Sequence, residues 1–464
     1  MALPLPSRPS VEQLKKQAKE LLRAWQSQDA AALERLKASH PEYASKPLAD
    51  PNALALADAQ LVLAREYGHS SWPKLKHAIE NLNGQSQDEV DAFMSAVRAG
   101  DHAQVRARLE ANRALARSFD RHAFDANPVT LAASRGDLKL VDLLLEFGAD
   151  INTPSRWWAG GFTPLHGVFW QDRKQELADA LIARGAVLDI HSAAGLGKLE
   201  AVRAWLAKDP ALVNARAGDG MAPLHYAATP EIAAFLLERG AEIDLRDLDH
   251  GGTPAQHAVK DRQDVTRFLI QRGAKADLFM AAALNDPALA EKLYAADPEC
   301  LKARIGVGEF KLKDSDGGHI YCYVAGGETP FQAAAVSNAE AMVDWLVRHG
   351  ANVNERAGYD DGTALHFCAW NDSLEGARKL LSLGAELECR SGKIHENTPM
   401  GWAIVSGSAR VAKLFLERGV VLHDYYFEAV RKGKAGEFRQ FKHVPLERYT
   451  EIEAALLAAK QARG

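Results

Sequence analysis

An internal repeat constrains the fold of this chain more than any other feature. A first block recurs between residues 162 and 405 as FTPLHGVFW, MAPLHYAAT, GTPAQHAVK, ETPFQAAAV, GTALHFCAW and NTPMGWAIV. A second block follows each copy and reads LIARGAVLD, LLERGAEID, LIQRGAKAD, LVRHGANVN, LLSLGAELE and LFLERGVVL. Self-similarity with a period of about 33 residues indicates stacked supersecondary units rather than one large globular domain.

Each unit is predicted to form two helices. The Thr side chain can cap the first turn of a helix, and the following Pro lies where a missing N–H costs nothing. The second block carries apolar pairs such as Leu236-Leu237 and then a Gly, which ends a helix in the left-handed conformation. Neither helix can bury its apolar face alone, so neighbouring units must cover each other. The pattern predicts an all-α solenoid.

These two blocks resemble ankyrin repeats, whose consensus is T-P-L-H-x-A-A followed by a helix ending in L-L-x-x-G-A. The resemblance covers roughly residues 90–440 and implies about ten to eleven helix pairs. Segments 189–216 and 277–304 resemble shorter units that lack the Thr-Pro start. In this family, partner proteins usually contact the finger turns between units and the exposed positions of the first helix.

Four regions are predicted along the chain. They are a helical N-terminal region (1–84), a linker (85–90), the repeat array (91–441) and a C-terminal helix (442–464). The first region resembles leaders that precede ankyrin arrays in some bacterial proteins. Inside the array, residues 305–327 alternate apolar and polar residues around DSDGG, which predicts a β-hairpin-like finger insertion.

The composition narrows the class of function. A net charge of −5 provides no global electrostatic attraction for nucleic acid. No uninterrupted apolar run is long enough for a membrane span, and the N-terminus lacks a secretory signal. The four cysteines are too widely spaced for a disulfide framework or a zinc finger. We therefore expect a cytoplasmic protein without a cofactor.

Histidines recur near the starts of the repeats, at His166, His225, His257 and His366. Stacked units lie roughly 10 Å apart, whereas one metal ion needs all of its ligands within a few ångströms. The ankyrin resemblance implies that such histidines bond to the backbone of a neighbouring turn. We therefore predict a structural role for them and no metal site.

Aromatic residues mark the candidate binding surface. Trp170 and Trp370 occupy the fourth position after a repeat-start histidine, which the resemblance places on the exposed face of the first helix. Exposed aromatics are frequent anchors in protein interfaces. Further candidates in the fingers and the insertion are Trp157, Trp158, Tyr359, Phe310, His319, Tyr321 and Tyr323. These residues predict a non-enzymatic scaffold that binds another protein through its concave groove and finger loops.

Two alternatives remain open. The 305–327 insertion and adjacent repeats could form a small-molecule or catalytic pocket around His319, Cys322 and Tyr323. Residues three apart on a strand point to opposite faces, which weighs against a His319–Cys322 pair. Alternatively, the N-terminal region could fold back onto the groove of its own array.

Overall fold

The computed structural model describes residues 10–43, 54–82, 87–169, 174–311, 319–321, 328–358, 361–392, 398–438 and 444–463. The chain forms two compact units, Met1–Ser155 and Arg156–Gly464. Within the described ranges the regular elements are helices, joined by turns and by isolated β-bridges. The all-α prediction is therefore confirmed, and the predicted array 91–441 is divided between the two units.

The first unit begins with an amphipathic helix whose buried side chains are Leu14, Ala18, Leu21 and Trp25. Ser10 caps it by accepting a hydrogen bond from the Gln13 N–H at 3.4 Å, and the buried Trp25 indole donates to the Ala32 carbonyl at 2.8 Å. The helices of this unit are α1 (Val11–Gln26), α2 (Ala30–Ser39), α3 (Leu56–Glu66), α4 (Trp72–Leu82), α5 (Gln87–Ala99), α6 (His102–Ala111), α7 (Pro128–Ser134) and α8 (Leu138–Glu146).

The linker prediction is wrong for residues 87–90, because α5 already begins at Gln87. Asp88 and Glu89 lie in its first turn, where carboxylates interact favourably with the helix dipole. Val90 is buried, so this segment is part of the packed unit.

The second unit is a solenoid of helix pairs around one continuous core that runs from Ile190 to Leu456. The 3₁₀ turn His166–Val168 takes the place of a first helix in the opening pair. The helices are α9 (Lys174–Ala183), α10 (Ile190–Gly195), α11 (Leu199–Lys208), α12 (Pro223–Tyr226), α13 (Pro230–Glu238), α14 (Pro254–Ala258), α15 (Gln263–Gln271), α16 (Leu278–Ala283), α17 (Pro287–Ala296), α18 (Pro330–Val336), α19 (Glu340–Arg348), α20 (Ala364–Trp370), α21 (Leu374–Ser382), α22 (Pro399–Ser406), α23 (Ala409–Glu417), α24 (Asp424–Lys434) and α25 (Leu446–Arg463).

Side-chain caps explain where the first helices begin. Thr329 accepts from the N–H three residues on at 3.1 Å, and Pro330 follows it at the first helical position. The shorter units use Asp for the same purpose. Asp189 accepts from the Ser192 N–H at 2.7 Å, and Asp277 accepts from the Met280 N–H at 2.9 Å. A carboxylate therefore replaces the Thr-Pro start.

The described part of the insertion is built from turns, so the β-hairpin prediction is wrong there. Residues 308–310 form a 3₁₀ turn, and residues 320 and 321 lie in another turn. The Tyr321 ring stacks on Phe279 of α16 with a centroid distance of 4.9 Å, and this packing draws the chain inward. The predicted strand positions within 312–318 and 322–327 lie outside the described residues.

The C-terminal helix α25 closes the second unit. It was predicted from residue 442 and begins at Leu446, while residues 439–443 lie outside the described ranges. The Tyr449 hydroxyl donates to the Val405 carbonyl at 3.1 Å, and the Arg463 guanidinium donates to the Leu416 carbonyl at 2.7 Å. These bonds dock α25 onto the last repeats.

Candidate functional site

The predicted binding aromatics differ in accessibility. The Trp158 side chain is 61% exposed, whereas Trp157, whose ring centroid is 6.2 Å away, is half-buried. Trp370 is half-buried at the end of α20, 5.4 Å from the buried Trp402 ring. Three further candidates, Trp170, Tyr359 and Tyr323, lie outside the described residues. Among the described candidates, Trp158 is the most exposed.

The predicted contribution of Phe310, His319 and Tyr321 to an exposed surface is wrong, because all three side chains are buried. The Phe310 ring lies 5.2 Å from Phe279 and 5.5 Å from His319, both edge to face. These aromatic contacts and the apolar area that they bury stabilise the insertion against α16. The insertion therefore acts as a packing element at these positions.

The alternative pocket receives little support at its one described member. Burial, together with the positive charge of Arg246, lowers the pKa of His319 to about 4. His319 is thus an uncharged, buried imidazole at neutral pH. Cys322 and Tyr323 lie outside the described residues.

Three finger loops pack directly against one another, and we call residues 156–161, 217–220 and 247–252 the finger row. Gly160 has φ 137°, and a Cβ at this position would lie 2.0 Å from the Ala217 carbonyl oxygen. The next pair of loops is joined through the backbone, because the Asp219 carbonyl accepts from the Leu248 N–H at 2.9 Å. Residue 160 therefore requires glycine for the first two fingers to meet.

The repeat-start histidines have the predicted structural role. The Nδ1 of His225 accepts from the Ala222 N–H at 3.1 Å, and Nε2 lies 3.3 Å from the Gly252 carbonyl of the next finger. His166 and His366 each accept, at Nδ1, a backbone N–H bond of 3.2 Å in the same way. One imidazole thus ties a helix start to the neighbouring unit.

His257 is an exception, because Gln256 occupies the repeat-start position of its unit. The Gln256 side-chain oxygen accepts from the Thr253 N–H at 2.9 Å. His257 comes one residue later and faces the 247–252 loop, where its ring centroid lies 5.3 Å from that of His225. The predicted separation of these two histidines is therefore wrong, since both side chains extend into the same loop.

Asp247 organises that loop. Its Oδ1 accepts from the His250 N–H at 2.6 Å, and its Oδ2 accepts from the Gly252 N–H at 2.6 Å and from His257 Nε2 at 2.9 Å. Burial alone would raise the pKa of this carboxyl, but the interactions with His250 and His257 outweigh burial and hold the pKa well below its ordinary value. Asp247 is a structural carboxylate with its hydrogen-bonding capacity in use.

A second group lies beside it, formed by Asp219, Asp249 and His250, which we call the acidic triad. The His250 Nδ1 lies 4.0 Å from Asp219 Oδ2, and its Nε2 lies 3.7 Å from Asp249 Oδ2. The three side chains are only 10% to 13% exposed. These separations exceed hydrogen-bond length, so the groups converge without bonding directly.

Electrostatics in the acidic triad are strongly perturbed. Burial, together with the negative charges of Asp249 and Asp247, raises the pKa of Asp219 to about 7, although His250 and the Trp157 indole act in the opposite direction. Burial lowers the pKa of His250, but the carboxylates of Asp247 and Asp219 outweigh burial, so the net change is upward. At neutral pH, the Asp219 carboxyl and the His250 imidazole therefore each keep a proton more readily than the isolated side chains would.

Two sets of side chains have ligand atoms close enough to surround one cation. In each set, the ligand atoms lie within 4.8 Å of one another: one is His225, Asp247 and His257, and the other is the acidic triad. The first set already satisfies its nitrogens and carboxylate oxygens with hydrogen bonds. In the acidic triad, His250 also interacts with Asp247, and Asp219 interacts with the Trp157 indole.

Sequence reasoning did not single out Asp219, Asp249 or His250. Their only local signal is the segment DLDHGG, which combines acidic residues and a histidine in a turn. Asp219 lies about one repeat earlier, and it joins the triad only because the fingers stack. A search for acidic and histidine residues at matching finger positions would have found the group.

Known proteins share the repeat pattern. Residues 190–280 and 278–391 match the family model described as ankyrin repeats (3 copies), and residues 129–186 match ankyrin repeats (many copies). The chain is 25% identical over 304 residues to the ankyrin repeat domain-containing protein SAT10 of Stachybotrys chartarum. That match covers 62% of this chain but only 15% of the relative's length.

The matched segments together cover more than half of the chain. Ankyrin repeats are generally protein-interaction modules, and the family is typically non-enzymatic. Among the described residues, no helix has the length and apolarity needed to cross a membrane. The stacked helix pairs, the histidine links between units and the matched family models show that this chain belongs to the ankyrin repeat family.

Proposed function

We propose that this chain is a non-enzymatic scaffold that binds another protein through the finger loops and the concave groove of its second unit. The observation that carries the proposal is the 61% exposed indole of Trp158 in the first loop of the finger row. Leu248, in the third loop, is 51% exposed. Large apolar side chains on adjacent fingers are characteristic of an interface.

The packing of the finger row supports this surface. The Gly160 contact and the Asp219–Leu248 hydrogen bond hold the loops in fixed positions, so Trp158 is presented on an ordered support. A pre-organised loop loses less conformational entropy when a partner binds. Burying the exposed part of one indole would contribute roughly 2–4 kcal/mol to binding.

Quantitative capture from an extract of the native cells tests the proposal. Trp158→Ser should weaken binding of the captured protein at least about tenfold. Val421→Ser is the matched control, because Val421 is 52% exposed but lies outside the finger row. The pair Trp170→Ala and Trp370→Ala tests the groove separately. Undiminished binding by the Trp158 variant and by the groove variant would refute the proposal.

The packing of His319 argues against the pocket alternative around the insertion. Its described member, His319, is buried against Phe310, and both side chains serve the packing of the inserted segment. A location in the cytoplasm remains a prediction, and immunofluorescence of the native protein would test it.

A further inference from the structure

We propose that the contact between the second and third loops of the finger row is pH-sensitive, and that it is tightest when Asp219 and His250 both carry a proton. Loss of these protons as the pH rises would let the third loop open more often. The contact would thereby regulate how firmly the surface around Trp158 and Leu248 is held. That consequence rests on the proposed function, whereas the pH-sensitive contact can be tested without any partner.

Asp219 lies where the three loops of the finger row meet. Its carboxylate interacts with the Trp157 indole of the first loop. Its carbonyl accepts from the Leu248 and Asp249 N–H groups of the third loop at 2.9 Å and 3.2 Å, and its carboxylate lies 4.0 Å from His250 Nδ1. One residue thus contacts both neighbouring loops, so a change in its charge acts where the loops are joined.

The charged groups closest to this pair are carboxylates. Asp247 Oδ1 lies 3.7 Å from His250 Nδ1, and Asp249 Oδ2 lies 3.7 Å from His250 Nε2. The carboxylates of Asp219 and Asp249 are 13% and 11% exposed, and that of Asp247 is fully buried. Like charges with so little access to water repel one another strongly, and a proton on Asp219 or His250 reduces that repulsion.

Other titratable and charged groups beside the pair do not provide this compensation. The rings of His257 and His319 have lowered pKa values and the Tyr226 hydroxyl has a raised one, so all three are uncharged near neutral pH. Two arginines flank the loops, and both donate to backbone carbonyls there, Arg216 to Gly220 and Arg246 to Gly251. The balance of charge between the loops therefore depends on the protons of Asp219 and His250.

The direction of the effect follows from proton linkage. Burial and the charges of Asp249 and Asp247 raise the pKa of Asp219 from its ordinary 3.8 to about 7, and the pKa of His250 is also raised. A group with a raised pKa contributes stability that is fully present below its ordinary pKa and is lost as the pH rises through the folded value. The contact should therefore weaken as the pH rises from about 5 to somewhat above 7.

The two contacts of Asp219 should respond differently. A carboxyl group can accept a hydrogen bond in either protonation state, so its interaction with the Trp157 indole survives the titration. The third loop carries Asp249 and Asp247, and it therefore bears the repulsion that appears when Asp219 ionises. Opening should be confined to the side of Leu248 and Asp249.

Amide hydrogen exchange of Leu248 and Asp249 in the purified full-length chain tests the proposal, because both N–H groups bond to the Asp219 carbonyl. After correction for the intrinsic exchange rate, opening in the wild type should increase at least about tenfold between pH 5 and pH 7.5. Asp219→Asn resembles the protonated side chain and should keep opening low throughout. Asp219 has φ 57°, which Asn adopts readily. Asp261→Asn, at a 70% exposed carboxylate outside the finger row, is the matched control and should behave like the wild type.

An NMR titration of the His250 ring separates charge coupling from general loosening. His250→Gln identifies the ring signal, and Asp219→Asn should lower the pKa of His250, because a neighbouring negative charge is lost. The proposal is overturned if opening in the wild type does not depend on pH, if Asp219→Asn keeps the same dependence, or if the titration of His250 is unchanged in that variant. None of these measurements involves a partner, so such results would leave the proposed function standing. Undiminished binding by the Trp158 and groove variants would refute the proposed function alone.

Discussion

His225 offers a direct test of the role of the repeat histidines, through the substitution His225→Gln. In the folded chain, burial and the neighbouring His257 lower the pKa of His225 to about 3. Another repeat contains the substitution naturally. Gln332 accepts from the Thr329 N–H at 3.3 Å and donates to the Gly362 carbonyl at 3.2 Å, which reproduces both links made by His225. The His225→Gln variant should therefore keep both hydrogen bonds of residue 225 but lack its titratable imidazole.

The sign and the magnitude follow from proton linkage. The ordinary histidine pKa is about 6.5, so below that pH the unfolded chain binds a proton that the folded chain excludes at His225. The free energy of unfolding therefore falls as the pH drops from about 6.5 towards the folded pKa of about 3. Between pH 7 and pH 5 this one residue should remove about 2 kcal/mol. The Gln variant should lack this loss.

Amide hydrogen exchange of the peptides from α12 to α14 provides the assay. A repeat array opens locally, so the midpoint of a global unfolding transition would average the stabilities of different units. The free energy of local opening is measured at pH 7 and pH 5 in both proteins, and other titrating groups cancel in the comparison. At pH 7 the two proteins should agree within about 1 kcal/mol. Equal acid sensitivity in both proteins would show that His225 accepts a proton in the folded state, which would refute the reasoning.

Three further substitutions test other contacts, each by urea denaturation. Gly376→Ala should destabilise its unit by at least about 2 kcal/mol, because the new Cβ would lie 1.9 Å from the Ala335 carbonyl oxygen. This loss should exceed the gain from the better helix propensity of Ala. Unchanged stability would contradict the prediction. Tyr321→Phe should cost about 1–2 kcal/mol by removing the 2.5 Å hydrogen bond to Asp277, and no loss would mean that the insertion is not anchored there. Arg463→Ala should lower stability by about 0.5–1 kcal/mol through the lost bonds to α23 and its end, and a larger loss would point to packing rather than hydrogen bonding.

The repeat architecture was predictable because its causes are local and recur. Thr, Pro and Gly at fixed positions define where each helix begins and ends, so the pairs in the second unit follow from the sequence. The insertion was not predictable in the same way. Alternation of apolar residues indicates a strand only if one face meets solvent, whereas Phe310 and Tyr321 both turn inward onto Phe279. Tertiary packing outweighed the local pattern.

The candidate site depends on residues that are distant in sequence, and this explains why it was missed. Asp219 and His250 come from different fingers, and only the stacking of the loops brings the carboxylate within 4.0 Å of the imidazole. For His257 the error was the opposite one, because the sequence suggested a repeat-start role that this residue does not have. Its position next to a repeat start resembled the consensus, yet Gln256 makes the repeat-start bond and His257 faces Asp247. A shift of one residue along a helix changes the neighbour that a side chain meets.

In the finger row, the polar side chains that hold the loops together differ from the side chains that are available for binding. His225 and Asp247 use their nitrogens and oxygens to hold backbone groups of the loops, so any ligand that took them would have to break those bonds. The exposed Trp158 indole lies in the same row of loops but does not carry that task. Because His225 and Asp247 hold the loops, Trp158 can be substituted without unfolding the finger row. Function in this repeat array is therefore expected at the residues that the scaffold does not need for its own hydrogen bonds.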